Sequence, residues 1–129
     1  VAAGRDYLGL SRRWSLGLVL LFLPVAAALV PLFRPVPVLG ASAGYLPVAV
    51  LIAAFATYLR RRAPRTARGL AIGAGLLLVS ITLRSLDGPL CAALPIGTHF
   101  GWHLLNAVML GWMIEVYRRH RLARRSCEG

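Results

Sequence analysis

Two histidines, His99 and His103, stand four residues apart at the start of an apolar run. On a helix of about 3.6 residues per turn, this spacing places both imidazoles on one face, one turn apart. Neutral imidazoles that converge in this way are ligands for zinc, which binds them at about 2.0–2.1 Å. Asn106 lies on the same stripe, seven residues after His99. The alternative is that both rings hydrogen-bond to neighbouring helices without a metal. Haem is less favoured, because its axial ligands approach from opposite faces.

A second polar group precedes the histidines. Ser80, Arg84, Asp87 and Cys91 are spaced by four, three and four residues, so one helix that carried all of them would present them on one face. An arginine within hydrocarbon costs roughly 2.5–3.5 kcal/mol, and Asp87 is the nearest acid that Arg84 can pair with. Asp87 has a second interpretation, as the acceptor for the free N–H of a liganding histidine. Both interpretations stay open from the sequence.

The composition indicates an integral membrane protein. Of 129 residues, 58% are hydrophobic and only 15% are charged, and the mean hydropathy is +0.70. These values exclude an ordinary soluble domain. The net charge of +11 does not indicate nucleic acid as a partner, because the arginines lie in clusters between apolar runs, where they act as orientation signals.

Four apolar runs predict an all-α fold of four transmembrane helices. Each run has about the 20 residues that cross a bilayer core. The predicted helices are residues 16–33, 42–59, 69–86 and 98–117, followed by a basic tail at 118–129. Arginines gather in the first fourteen residues, in the second connector and in the tail, so both termini of this chain are expected in the cytoplasm. Cys91 and Cys127 then lie on opposite sides of the membrane and do not pair.

Four smaller features complete the sequence predictions. Gly69 and Gly73 form a GxxxG pair, which predicts the close approach of another helix. Glu115 precedes two arginines by about one helical turn, which predicts a salt bridge. His120 lies among arginines and is expected to be a solvated surface group. The first fourteen residues are expected to be the end of a loop.

Residues 84–106 resemble the alkaline ceramidases, within a larger group of seven-span membrane hydrolases. The likeness rests on RSLDGPLC at 84–91 and LPIGTHFGWHLLN at 94–106, and GYLP at 44–47 resembles the bacterial members. The resemblance implies that the four helices are the last four of a seven-helix bundle. It also implies a bacterial inner-membrane location and a missing amino-terminal half, either upstream or in a dimer partner.

The activity that the resemblance implies is hydrolysis of the amide bond of ceramide-like lipids by zinc-activated water. His99 and His103 match the late pair of zinc ligands, and Arg84, Asp87, Cys91 and Asn106 are the neighbouring candidates for structural or supporting roles. The family's early histidine, serine and aspartate have no counterpart in this sequence. The competing hypothesis is a non-catalytic four-helix membrane protein, a receptor-like or accessory subunit, whose histidine pair binds metal or only packs.

Overall fold

The computed structural model describes residues 2–33, 35, 40–90 and 99–128, and these residues contain helices and no strand. Among these residues, five α-helices and one 3₁₀ segment follow one another. They are α1 (Ala2–Leu8), α2 (Arg12–Phe33), the 3₁₀ segment (Gly40–Tyr45), α3 (Leu46–Leu59), α4 (Pro64–Leu90) and α5 (His99–Glu128). The all-α prediction is therefore confirmed for the described part of the chain.

Within the described part of the chain, three segments are long and apolar enough to cross a membrane. They are Arg12–Leu32, Ser42–Leu59 and Pro64–Asp87, in good agreement with the first three predicted spans. The 30-residue helix α5 is not one of them, because His99, His103, Asn106 and Glu115 interrupt its apolar sequence. A fourth crossing and a seven-helix bundle both stay predictions.

Helix α4 is the centre of the fold, and it packs against both α3 and α5. Its fully buried side chains Leu70, Leu77 and Ile81 meet Ala49 and Ala56 of α3. Met109 and Val116 of α5 belong to the same two clusters. Small residues on α3 and larger ones on α4 allow the three helices to pack closely.

The GxxxG pair lies on the face of α4 that contacts α5, so that prediction is confirmed. A Cβ atom added at Gly69 would lie 2.6 Å from Val116 Cγ2, and one added at Gly73 would lie 2.5 Å from Met113 Sδ. Gly75, the next glycine, has nothing within 4 Å of an added Cβ. The close approach of the two helices therefore depends on the first two glycines.

Helix α2 is an apolar helix of 22 residues that makes few contacts with the rest of the chain. Only 6% of its most apolar window is buried. It continues through Pro24 and Pro31 without a break in the helix. Most of its side chains are therefore available to lipid or to further helices.

The amino-terminal segment forms α1, so the expectation of a loop there is wrong. Gly9 ends this helix with a φ of +68°, the left-handed region that favours glycine. The N–H of Gly9 donates to the carbonyl oxygen of Arg5 at 2.9 Å. The chain enters α2 soon after this cap, and α1 lies against the carboxy-terminal part of α5.

Candidate functional site

The structure places both histidines of the predicted pair on the first two turns of α5. His99 is the first residue of the helix, and its side chain is not among the described ones. His103 follows one turn later; its side chain is exposed, and its ring centroid lies 4.3 Å from that of Trp102. The predicted spacing on one helix is present, and metal ligation by the pair stays a prediction.

The described side chains offer no complete zinc site. Among them, no three His, Cys, Asp or Glu side chains converge on a common point. A catalytic zinc takes three protein ligands and leaves one position open for water or substrate. A zinc ion bound by His99 and His103 would need a third ligand from outside the side chains described. Cys91 lies in the segment 91–98, outside the described residues.

Arg84 lies over aromatic rings that come from two other elements. Its guanidinium carbon is 4.5 Å from the ring centroid of Trp102 and 5.9 Å from that of Tyr45. Its Nε atom is buried and has no hydrogen-bond partner among the described residues. Ring faces attract a cation most strongly where water is excluded, so they help to hold this charge near the end of α4. Asp87 is half-buried one turn further along, and its ion pair with Arg84 stays a prediction.

Serine hydroxyls join the elements that surround Arg84. Ser80 is fully buried and donates to the main-chain oxygen of Trp102 at 3.2 Å. The Ser85 hydroxyl is shared between the carbonyl oxygen of Ile81, at 2.9 Å, and Ser42 Oγ, at 3.1 Å. Ser80 and Arg84 both contact Trp102 and therefore share a face of α4, as their spacing predicts.

Asn106 presents an unused acceptor beside these groups. It is half-buried on α5, and its Oδ1 atom is buried without a hydrogen-bond partner among the described residues. Its position places it near the helix stripe of His99 and His103. A buried carbonyl oxygen without a donor is costly, so this atom is suited to accept a hydrogen bond from a bound group.

A second polar cluster, at the opposite end of α5, is absent from the sequence predictions. His120 is half-buried, with Nδ1 2.9 Å from Thr66 Oγ1 and Nε2 3.0 Å from the main-chain oxygen of Asp6. The expectation that His120 is a solvated group is therefore wrong. The Tyr117 hydroxyl also donates to the Asp6 carboxylate. The sequence feature that could have indicated this cluster is Asp6, one of only four acidic residues in the chain.

Tyr7 of α1 packs into this second cluster. Its ring lies 4.9 Å from the His120 ring and 5.8 Å from the Phe55 ring, measured between centroids. Burial raises the pKa of Tyr7 to about 12, and the nearby Tyr117 and Asp6 add to the effect by opposing a second negative charge. Tyr7 therefore stays neutral at physiological pH, and it serves as a packing group.

Glu115 pairs with arginines, as predicted. It lies 2.7 Å from Arg118 Nε and 2.6 Å from Arg119 Nε. Both arginine side chains are largely exposed. These contacts assign Glu115 a structural role and leave the polar groups around Arg84 as the candidate site.

Comparison with known proteins identified no relative of this chain. No protein-family model matches the chain, and searches of curated proteins and of solved structures found no match.

Proposed function

We propose that this chain is the carboxy-terminal half of a zinc-dependent membrane hydrolase that cleaves the amide bond of ceramide-like lipids. The observation that carries the proposal is the position of His99 and His103, one turn apart at the start of α5. The buried polar groups of Ser80 and Arg84 contact Trp102, which lies between the two histidines in sequence. Polar residues thus gather at this end of α4 and α5, and apolar turns separate them from the second polar cluster around His120.

In this proposal the chain lies in the membrane with four crossings, α5 included. Helix α5 packs along α4, which is itself apolar enough to cross. The outward face of α5 carries exposed apolar side chains, namely Phe100, Leu104, Val108, Leu110 and Ile114. Such a face suits contact with lipid. The polar residues of α5 lower the mean hydropathy of the helix but leave these apolar side chains exposed. The arginine clusters favour a cytoplasmic position for both termini of the chain, and the resemblance favours the inner membrane of a bacterium.

Four polar residues have roles in the proposed reaction. His99 and His103 hold zinc together with a ligand from outside the described side chains. When bound, zinc supplies a Lewis acid for the amide carbonyl and lowers the pKa of its water. Arg84 supplies a positive charge supported by the Trp102 ring, and Asn106 offers an acceptor to the substrate. The acyl chain of the lipid remains among apolar helices throughout.

The test is the zinc content of the purified chain in detergent, measured by elemental analysis after equilibration with zinc and removal of the excess. We expect up to one zinc per chain, with loss of most of it in His99→Ala and in His103→Ala. His120→Ala is the matched control, because it removes the remaining histidine at the opposite end of α5. Unchanged zinc in His103→Ala, or equal loss in His120→Ala, contradicts the ligand assignment.

Release of fatty acid from a ceramide tests the reaction itself. We expect hydrolysis only when the missing ligand is supplied, by an upstream segment or by a second chain. A second candidate function is a non-catalytic membrane subunit that binds metal, favoured by the lack of a third ligand among the described side chains. Zinc bound through His99 and His103 in the complete assembly, with no hydrolysis of any ceramide, would favour this second function.

A further inference from the structure

An apolar groove lies between α2 and α3, and no residue of the candidate hydrolase site lines it. The groove has a volume of about 500 Å³. Leu18 and Phe22 form the α2 side, while Leu51, Ala54 and Phe55 form the α3 side. Because both helices are apolar enough to cross a membrane, the occupant of this groove is expected to be a hydrocarbon chain.

A tyrosine of the groove wall holds an arginine. Tyr58 lines the groove, and its hydroxyl accepts a hydrogen bond from Arg62 Nη1 at 2.7 Å. The guanidinium carbon of Arg62 also lies 4.9 Å from the centroid of the Tyr58 ring. A cation is thus fixed beside an apolar groove by a residue of the groove wall.

Beyond Arg62 lies a second cavity, also of about 500 Å³, which is strongly basic. Arg62, Arg65 and Arg124 line it together with Thr66 and His120, and none of the described lining residues is acidic. Arg124 Nη1 also donates to the main-chain oxygen of Asp6 at 2.8 Å, which ties this arginine to α1. Three guanidinium groups around one cavity form a site for an anion such as a phosphate.

A buried hydroxyl also lies on the groove wall. Ser15 is 1% exposed, and its Oγ atom has no hydrogen-bond partner among the described residues. It lines the groove at the start of α2, which is the end nearest to Tyr58 in the antiparallel arrangement of α2 and α3. This hydroxyl lies against Gly4 of α1, where an added Cβ would come within 2.9 Å of Ser15 Oγ, so α1 covers it and the lipid is not expected to contact it.

We propose that one anionic phospholipid binds here, with an acyl chain in the groove and its phosphate at Arg62, Arg65 and Arg124. The charge of the cavity and the contact of Arg62 with Tyr58 of the groove wall favour this occupant. A neutral lipid leaves the three arginines without a counter-charge, and a soluble phosphate leaves the groove unfilled. Basic pockets at the ends of transmembrane helices are known binding sites for anionic head groups. The site is independent of the proposed zinc chemistry.

Native mass spectrometry of the detergent-purified chain, titrated with phosphatidylglycerol and in parallel with phosphatidylcholine, tests the proposal. We expect one phosphatidylglycerol per chain, bound at least tenfold more tightly than phosphatidylcholine. Arg62→Gln and Arg65→Gln should each weaken binding about fivefold. Arg61→Gln is the matched control, because Arg61 is an exposed neighbour in the same connector that lines neither cavity. It should change the affinity less than twofold.

The groove is tested separately with Ala54→Phe, which fills it without removing a charge. We expect this variant to weaken phosphatidylglycerol binding at least fivefold while its helical circular dichroism stays that of the wild type. Equal binding of phosphatidylcholine, or equal weakening by Arg61→Gln, overturns the proposal in favour of general surface attraction. Complete displacement by inorganic phosphate, with no effect of Ala54→Phe, overturns it in favour of a soluble anion.

Discussion

His120 on α5 lies 2.9 Å from the hydroxyl of Thr66 on α4, measured from Nδ1 to Oγ1, although 54 residues separate them. The other ring nitrogen, Nε2, faces the main-chain oxygen of Asp6, a pure acceptor. In its neutral form the imidazole therefore carries its proton on Nε2, and Nδ1 accepts from Thr66. One side chain thus ties α1, α4 and α5 together at the basic end of the fold.

Thr66→Val tests this tie. The change keeps the shape of the side chain and removes the donor, so His120 Nδ1 loses its partner in a half-buried position. We expect the free energy of unfolding to fall by about 1–2 kcal/mol, measured by SDS titration in mixed micelles. Thr57→Val is the control, because the exposed Thr57 hydroxyl only donates to Ala53 of its own helix. An equal effect of the two substitutions contradicts the assignment.

Tyr7 predicts a pH dependence at the same end of the protein. Its pKa is about 12 in the folded chain and near its ordinary value of 10.0 in the unfolded chain. The contribution of Tyr7 to the stability of the folded chain is thus fully present below pH 10 and is lost as the pH rises to about 12. The reason is that Tyr7 releases its proton at a lower pH in the unfolded chain than in the folded chain. We expect a shallower loss of stability over this range in Tyr7→Phe. Identical slopes for variant and wild type would show that Tyr7 does not contribute.

Gly69→Ala tests the contact between α4 and α5. An added Cβ at this position meets Val116, a β-branched side chain with little freedom to move. We expect a loss of about 1–3 kcal/mol in the free energy of unfolding, with partial recovery in the double variant Gly69→Ala/Val116→Ala. Gly73→Ala should cost less, because Met113 is flexible.

The matched control for these glycines is Gly75→Ala, where the space around the added Cβ is open. We expect its stability to equal or slightly exceed that of the wild type, since alanine favours helix more than glycine does. A loss in Gly75→Ala as large as that in Gly69→Ala would assign the effect to helix propensity and would remove the argument for close packing.

The features that sequence could predict are those encoded locally. A long apolar run defines a spanning helix by itself, and a four-residue spacing places Gly69 and Gly73, or His99 and His103, on one face. Helix α1 could not be predicted, because seven residues without an apolar stripe gain their order from distant contacts such as that of Tyr7 with His120. The buried position of His120 follows from the same docking.

The aromatic contacts of Arg84 also could not be predicted from local sequence patterns. Sequence spacing indicates Asp87 as its partner, because charges one turn apart on a helix are neighbours. The rings over which Arg84 lies come from α5 and from the 3₁₀ segment, at Trp102 and Tyr45. Only the packing of three elements brings them together, so hydropathy and periodicity contain no signal for this contact.

A double-mutant cycle of Arg84→Gln and Trp102→Leu measures what this contact contributes. A cation over an indole ring, with one nitrogen buried, should give a coupling energy of about 0.5–2 kcal/mol in SDS unfolding. Arg68→Gln with Trp102→Leu is the control cycle, because Arg68 is an exposed arginine on the same helix; its coupling should be close to zero. If the effects of Arg84→Gln and Trp102→Leu add within about 0.5 kcal/mol, the ring does not stabilise the charge. Asp87 would then be the acidic partner that the charge of Arg84 requires in the membrane.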